Sequence, residues 1–108
     1  MAYDQGLAEL LRTDLTGERI TETQMFGGLC FMLDGHMLCG PHKAGVMFRV
    51  GKANMAAALA LAGVGPMGFT GRAMTGLVDA QDEAMADDRT RAALLAMALA
   101  FVKSLPAK

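Results

Sequence analysis

Two adjacent residues, Asp34 and Gly35, constrain the fold more than any other feature of the chain. They separate two apolar runs of equal length, residues 29–33 and 36–40, and Asp-Gly between such runs is a strong signal for a two-residue β-hairpin turn. A third run, residues 45–50, follows after a short connection. The sequence therefore predicts three consecutive antiparallel strands.

The rest of the chain predicts helices and two further strands. Asp4 is a suitable N-cap for a first helix, and a last helix should begin near Asp87 or Asp88 and end at Pro106. Between them we expect a second helix over residues 54–62 and short strands over residues 68–70 and 73–78, joined by a turn at 71–72. The expected fold class is α+β, one two-layer domain over residues 1–108, in the order helix, three strands, helix, two strands, helix, with a five-stranded antiparallel sheet.

Composition and charge exclude several classes of protein. Hydrophobic residues make up 53% of the 108 residues and charged residues 19%, which excludes a disordered chain. The apolar runs are too short to span a membrane and the first five residues include no basic one, so we expect no membrane association and a cytoplasmic location. Ten scattered basic residues face eleven acidic ones, for a net charge of −1. Direct nucleic-acid binding, which needs a basic surface, is therefore not expected.

The two-residue turn also predicts the register of the hairpin. Counting outward from the turn places Met32 opposite Met37 and Cys30 opposite Cys39, with all four side chains on one face. The other face carries Leu29, Phe31, Leu33 and Leu38. Both faces are therefore apolar, whereas a sheet with one covered face usually shows a polar second face to water. We expect the second face to be buried in a homodimer or against a terminal helix.

The cysteines admit three interpretations. Reduced thiols in a tightly packed position are expected in a reducing compartment. The alternatives are a redox switch and a site for a soft metal such as Cu(I), formed by Cys30, Cys39 and His42. The chain has ten methionines but no Cys-x-x-Cys or paired-histidine spacing that would organise a metal site in advance.

No catalytic or cofactor motif is convincing. Residues 63–68 match Gly-x-Gly-x-x-Gly, but they follow a predicted helix and lead into a strand, the reverse of a dinucleotide-binding turn. The single serine, Ser104, has no histidine near it in the sequence to activate it. We expect neither an enzyme nor a bound cofactor.

Arg49 and Arg72 are candidate interaction residues. Arg49 lies in a predicted strand between Phe48 and Val50, where a long cation needs a partner or a water-filled edge. One interpretation is an ion pair, within the fold or across a dimer, and the other is a contact to an anion or a partner protein. Arg72, at the turn before the last predicted strand, would be the second member of such a site.

Five segments, in this order and spacing, resemble the TfoX N-terminal domain family. They are Met25-Phe26-Gly27-Gly28-Leu29, the Asp34-Gly35 turn, Met47-Phe48-Arg49-Val50-Gly51, Thr70-Gly71-Arg72-Ala73-Met74 and Phe101-Val102-Lys103-Ser104-Leu105-Pro106. Together they extend the likeness over nearly the whole chain. The family's fold agrees with the order of helices and strands derived above. Within the first segment, Met25 and Phe26 would anchor the entry to the sheet in the core, and Gly27 and Gly28 would supply backbone freedom or close packing.

The resemblance implies a role in regulation. TfoX, also called Sxy, regulates bacterial competence genes and acts with a cyclic-AMP receptor protein at promoters rather than reading DNA alone. The full regulator carries a further C-terminal domain that these 108 residues do not include, so the resemblance implies a single-domain member.

The expected function is that of a non-enzymatic regulatory or protein-interaction domain, linked to transcription or competence through a protein partner such as a transcription factor. The alternative is a small-ligand, metal or redox sensor that uses the face formed by Cys30, Met32, Met37 and Cys39.

Overall fold

The computed structural model describes residues 3–25, 27–43, 45–69 and 72–106. The elements are α1 (Gln5–Asp14), β1 (Ile20–Met25), β2 (Gly28–Leu33), β3 (His36–His42), β4 (Gly45–Arg49), a 3-10 turn (Lys52–Asn54), α2 (Met55–Leu59), β5 (Val64–Phe69), β6 (Arg72–Ala80), α3 (Asp82–Ala86) and α4 (Asp88–Lys103). All six strands pair antiparallel in one sheet, in the spatial order β1-β2-β3-β4-β6-β5. The α+β class and the antiparallel sheet are confirmed.

The main core lies between the helices and one face of the sheet. Every helix contributes buried apolar side chains to it, including Leu11, Ala58, Met85 and Leu94. The sheet contributes Phe31, Leu38, Phe48 and Val78, all of which are fully buried. Within the described residues, none of the helices combines the length and the apolar character that crossing a bilayer requires.

Two aspartates begin the longer helices. Asp4 Oδ1 accepts hydrogen bonds from the amides of Gly6 and Leu7 at 2.7 and 3.3 Å, and caps α1 as the sequence predicts. Asp87 Oδ1 accepts from the amides of Arg89 and Thr90 at 3.0 and 3.4 Å, so that α4 begins at the predicted place. These bonds satisfy amides that have no partner inside the helix.

Three elements differ from the sequence prediction: β1, α3 and β5. The expected number of five strands is wrong, because β1 forms a sixth strand at one edge of the sheet. Four of its six side chains, Thr21, Glu22, Thr23 and Gln24, are exposed. An edge strand with this composition lacks the apolar alternation that identifies a strand from sequence. The five-residue helix α3 was also missed, and β5 begins at Val64, earlier than predicted. Thr70 and Gly71, part of the predicted turn, lie outside the described residues.

Candidate functional site

The β2–β3 hairpin turns at Asp34 and Gly35 as predicted, but its register changes partway along. Both turn residues have positive φ, +52° and +84°, the geometry that favours Asp-Gly in a two-residue turn. Met32 pairs with Met37, which confirms that part of the predicted register. The next pair is Phe31 with Cys39, because β3 carries one extra residue, Leu38, in a β-bulge.

The bulge separates the two cysteines. The prediction that Cys30 lies opposite Cys39 on a shared face is wrong, because the extra residue turns Cys39 into the main core beside the helices. Cys30 lies on the other face of the sheet. Both are free, buried thiols. Of the predicted metal set, Cys30 and His42 line one cavity, whereas Cys39 lies in the main core. Of the predicted sensor face, Cys30, Met32 and Met37 share one side of the sheet, and Cys39 lies on the other.

A second apolar cluster lies on the sheet face away from the helices, and we call it the methionine face. Each strand from β2 to β6 contributes to it and no described helix does. Its members are Cys30, Met32, Met37, Met47, Met67, Met74 and Leu77. Four of these form a nearly buried floor, with exposed fractions of 2% for Cys30, 7% for Met47, 6% for Met67 and 7% for Leu77. Met32, Met37 and Met74 are only partly buried.

The β5–β6 hairpin supplies part of this face, and the floor is already nearly buried within a single chain. Met67 and Met74 of the hairpin line the same small cavity as Cys30 and Met47. β5 has an irregular register between Pro66 and Gly68, and bulges of this kind bend a strand. Burial of the floor therefore needs neither a second copy of the chain nor a terminal helix, the two causes that the sequence predicted.

His42 and Asp79 lie beside this cavity. His42 Nε2 is 2.8 Å from Asp79 Oδ1, and both side chains are largely buried. Asp79 Oδ2 also accepts a hydrogen bond from Gln81 Nε2 at 3.2 Å. The other histidine, His36, lies on the helix side, where its Nε2 is 2.6 Å from the carbonyl oxygen of Pro106. That carbonyl only accepts, so Nε2 of His36 carries the proton.

The environment of Cys30 does not suit a nucleophile. Burial raises the pKa of its thiol above the ordinary value, and a bond from the backbone of Leu38 and the charge of Arg49 offset only part of that rise. Burial raises the pKa of Cys39 further. Nucleophilic cysteines need a lowered pKa and access to substrate. Both thiols here are kept protonated and packed.

Arg49 contacts the helix layer. Its guanidinium carbon lies 5.4 Å from the centre of the Phe101 ring on α4, a cation–π contact. Within residues 3–25, 27–43, 45–69 and 72–106, Arg49 forms no ion pair, so the interpretation as an ion pair within the fold is not supported. On the sheet it pairs with Leu77, five residues along β6 from Arg72. That spacing separates the two backbones by about 16 Å, and the side chain of Arg72 lies outside the described part.

Comparison with known protein families identifies the family of this chain. The model of the TfoX N-terminal domain matches residues 10–102, most of the chain. The chain belongs to the TfoX N-terminal domain family. Comparisons with curated proteins and with solved structures gave no match. The TfoX N-terminal domain family suggests a regulatory type of domain.

The TfoX motif residues occupy the entry to the sheet and the hairpin turn. Gly27 has a φ of +72°, and a Cβ on Gly28 would lie 2.4 Å from the carbonyl oxygen of Pro41. The first position therefore favours glycine for its conformation and the second for its close packing. Met25 ends β1, but its side chain and all of Phe26 lie outside the described residues, so their predicted anchoring role stays a prediction.

Ion pairs that the sequence did not predict join the helices to one another and α1 to β1. Arg91 is nearly buried, with an exposed fraction of 8%. Its Nε donates to Asp14 Oδ2 at 2.6 Å, and its Nη1 donates to the carbonyl oxygen of Met85 at 2.8 Å. Its Nη2 forms an ion pair with Asp88 Oδ1 at 2.9 Å. The Arg91–Asp14 contact joins residues 77 positions apart, so no local pattern could have indicated it. Arg12 forms two hydrogen bonds to Glu22 of β1, at 2.7 and 2.8 Å.

Among the described residues, no group of three or more His, Cys, Asp and Glu side chains is placed to hold a metal ion.

Proposed function

We propose that this domain is a regulatory module that acts by binding a protein partner through the methionine face. One observation carries the proposal: the described helices bury their apolar side chains against the opposite face, while Met32, Met37 and Met74 remain partly exposed above an apolar floor. Contiguous apolar surface that the fold itself does not fully bury is typical of interaction sites.

The side chains on this face suit a contact of that kind. Methionine is unbranched, with three rotatable bonds and a polarisable sulfur, so a methionine surface can repack around different apolar partners. The partner we propose is a transcription factor, through which the domain would influence transcription, including competence genes. That choice rests on the family.

The surface charge supports action through a protein rather than through direct DNA contact. Four described basic side chains are paired with carboxylates: Arg12 with Glu22 and Glu9, Arg19 with Asp34, Arg91 with Asp14 and Asp88, and Lys103 with Glu18. Such pairing leaves fewer cations to neutralise phosphates. The net charge of −1 agrees with this.

A second copy of the chain is another candidate occupant of the same face. A two-fold dimer would bring two such faces together. Sedimentation of wild type and Met37→Lys distinguishes the two cases, because a dimer through this face dissociates in the variant. If the partner is a different protein, both forms sediment as monomers.

Capture from an extract of the host cell tests the proposal. We compare the wild type with Met37→Lys, which places a charge on the methionine face, and with Leu59→Lys, which places the same charge on α2 at a side chain that is 37% exposed. We expect a transcription factor to be retained by the wild type and by Leu59→Lys, and lost from Met37→Lys. Equal retention by both variants would overturn the proposal.

A further inference from the structure

One small cavity on the methionine face is lined mainly by soft metal ligands. It measures about 30 Å³, on the scale of a single small ligand. Its soft or borderline donors are the thiol of Cys30, the thioethers of Met37, Met47, Met67 and Met74, and the imidazole of His42. The remaining lining residues are Leu29, Gly40, Pro41 and Leu77. Six of the ten lining residues can therefore donate electrons to a metal.

This combination of donors selects for one class of metal ion. Thiolate and thioether ligands favour Cu(I) and similar soft ions, whereas calcium and magnesium require oxygen ligands. No carboxylate lines the cavity, and the nearby carboxylate of Asp79 already accepts hydrogen bonds from Gln81 and pairs with His42. The donors come from all five strands from β2 to β6, which is why no spacing in the sequence indicates them.

We propose that this cavity binds one soft monovalent metal ion of the Cu(I) class, through the sulfur of Cys30 and the methionine thioethers around it. The floor of the site is formed by Cys30, Met47 and Met67, which are nearly buried. The unbranched methionine side chains can turn their sulfur atoms toward an ion without moving the strands. The site shares Met37 and Met74 with the surface proposed for partner binding, but its buried floor of Cys30, Met47 and Met67 requires no bound partner.

Binding exchanges a proton for the metal ion. At pH 6, well below the ordinary thiol pKa of about 8.5, the Cys30 thiol carries its proton. A bond forms between the metal and Cys30 Sγ, the S–H bond breaks, and the proton passes to solvent, with no change of oxidation state. One proton is therefore released for each ion bound at pH 6.

The test uses Ag(I) as the probe, since it is soft, monovalent and stable in air. Native mass spectrometry gives the stoichiometry, a pH indicator gives the protons released, and competition with a soluble thioether ligand gives the affinity. For the thiols, the test is Cys30→Ser, which removes the proposed ligand. Its control is Cys39→Ala, which removes the thiol on the opposite face of the sheet. For the thioethers, the test is the double variant that carries both Met47→Leu and Met67→Leu. Its control is Met85→Leu, which makes the same exchange in the main core. Met-to-Leu exchange nearly conserves volume and preserves the fold.

We expect one Ag(I) and one released proton per chain in the wild type, in Cys39→Ala and in Met85→Leu. Binding is lost in Cys30→Ser and weakened at least about tenfold in the double methionine variant, the scale on which a lost contact changes affinity at a metal site. Undiminished binding by Cys30→Ser, or equal affinity in the double variant and Met85→Leu, would overturn the proposal. If Cys30→Ser does not fold, the double variant and the proton count on the wild type decide the question.

Discussion

His42 and Asp79 are hydrogen-bonded across a strand that separates their own strands. His42 is on β3 and Asp79 on β6, with β4 between them, yet Nε2 and Oδ1 are only 2.8 Å apart. The β4 residue that pairs with His42 is Gly45, and a Cβ there would lie 2.8 Å from Asp79 Oδ1. The absence of a side chain at Gly45 therefore allows the contact that joins β3 to β6 beside the methionine face.

Adding one methyl group at Gly45 tests this relationship. In Gly45→Ala the new Cβ would also lie 2.7 Å from the carbonyl oxygen of Ala80, which the backbone cannot easily relieve. We expect the free energy of unfolding to fall by about 1–3 kcal/mol in urea denaturation. The control is Gly65→Ala, where a Cβ would meet nothing within 4 Å and stability should change by less than about 0.5 kcal/mol. Equal stability of the two variants would show that the close approach at Gly45 is unimportant.

Loss of Arg91 should destabilise the packing of the helices. Its guanidinium is nearly buried between Asp14, Asp88 and the carbonyl oxygen of Met85. In Arg91→Ala these acceptors lose their donor, and we expect a loss of about 3 kcal/mol in the free energy of unfolding. Arg89→Ala removes an exposed arginine two positions away and should be nearly neutral. A cost for Arg91→Ala no larger than that for Arg89→Ala would contradict this account.

The contact between Arg12 and Glu22 makes stability depend on pH. The Arg12 guanidinium lowers the pKa of Glu22 below its ordinary value of 4.5, chiefly through hydrogen bonding. The carboxylate therefore stabilises the fold at pH values above 4.5, and this contribution disappears as the pH falls through the lowered pKa of the folded state. Thermal melting of wild type and Glu22→Gln between pH 3 and 7 checks this. We expect the wild type to be more stable at neutral pH and the difference to vanish at acid pH, whereas Glu83→Gln, a control at an exposed carboxylate, should follow the wild type throughout.

Neither cysteine should behave as a redox switch in the folded protein. Both thiols are buried with raised pKa, and the sheet separates their side chains. We expect no labelling by a thiol reagent at pH 8 until the protein is denatured, and no intramolecular disulfide after treatment with diamide. Mass spectrometry distinguishes the products. A native-state disulfide between Cys30 and Cys39 would require the register that the bulge rules out.

Much of the fold could be predicted because its signals are local. The Asp34-Gly35 turn, the caps Asp4 and Asp87, and the apolar alternation of β4 each act over a few residues. The bulge at Leu38 could not be predicted, because an extra residue in an apolar strand leaves the composition unchanged. This single residue reversed the face on which Cys39 lies.

Only part of the candidate site could be predicted from the sequence. Cys30, Met32 and Met37 share one hairpin, so their common face could be predicted from the turn. Met47, Met67 and Met74 join them through pairings among strands distant along the chain. The same holds for His42 and Asp79, which are 37 positions apart.

Methyl NMR on protein labelled at the methionine methyl groups shows whether the partner binds to the methionine face. The captured transcription factor is added, and the methyl signals on the two sides of the sheet are compared. We expect the signals of Met32, Met37 and Met74 to shift or broaden, while those of Met85 and Met97 on the helix side stay in place. Changes confined to Met85 and Met97 would contradict this expectation.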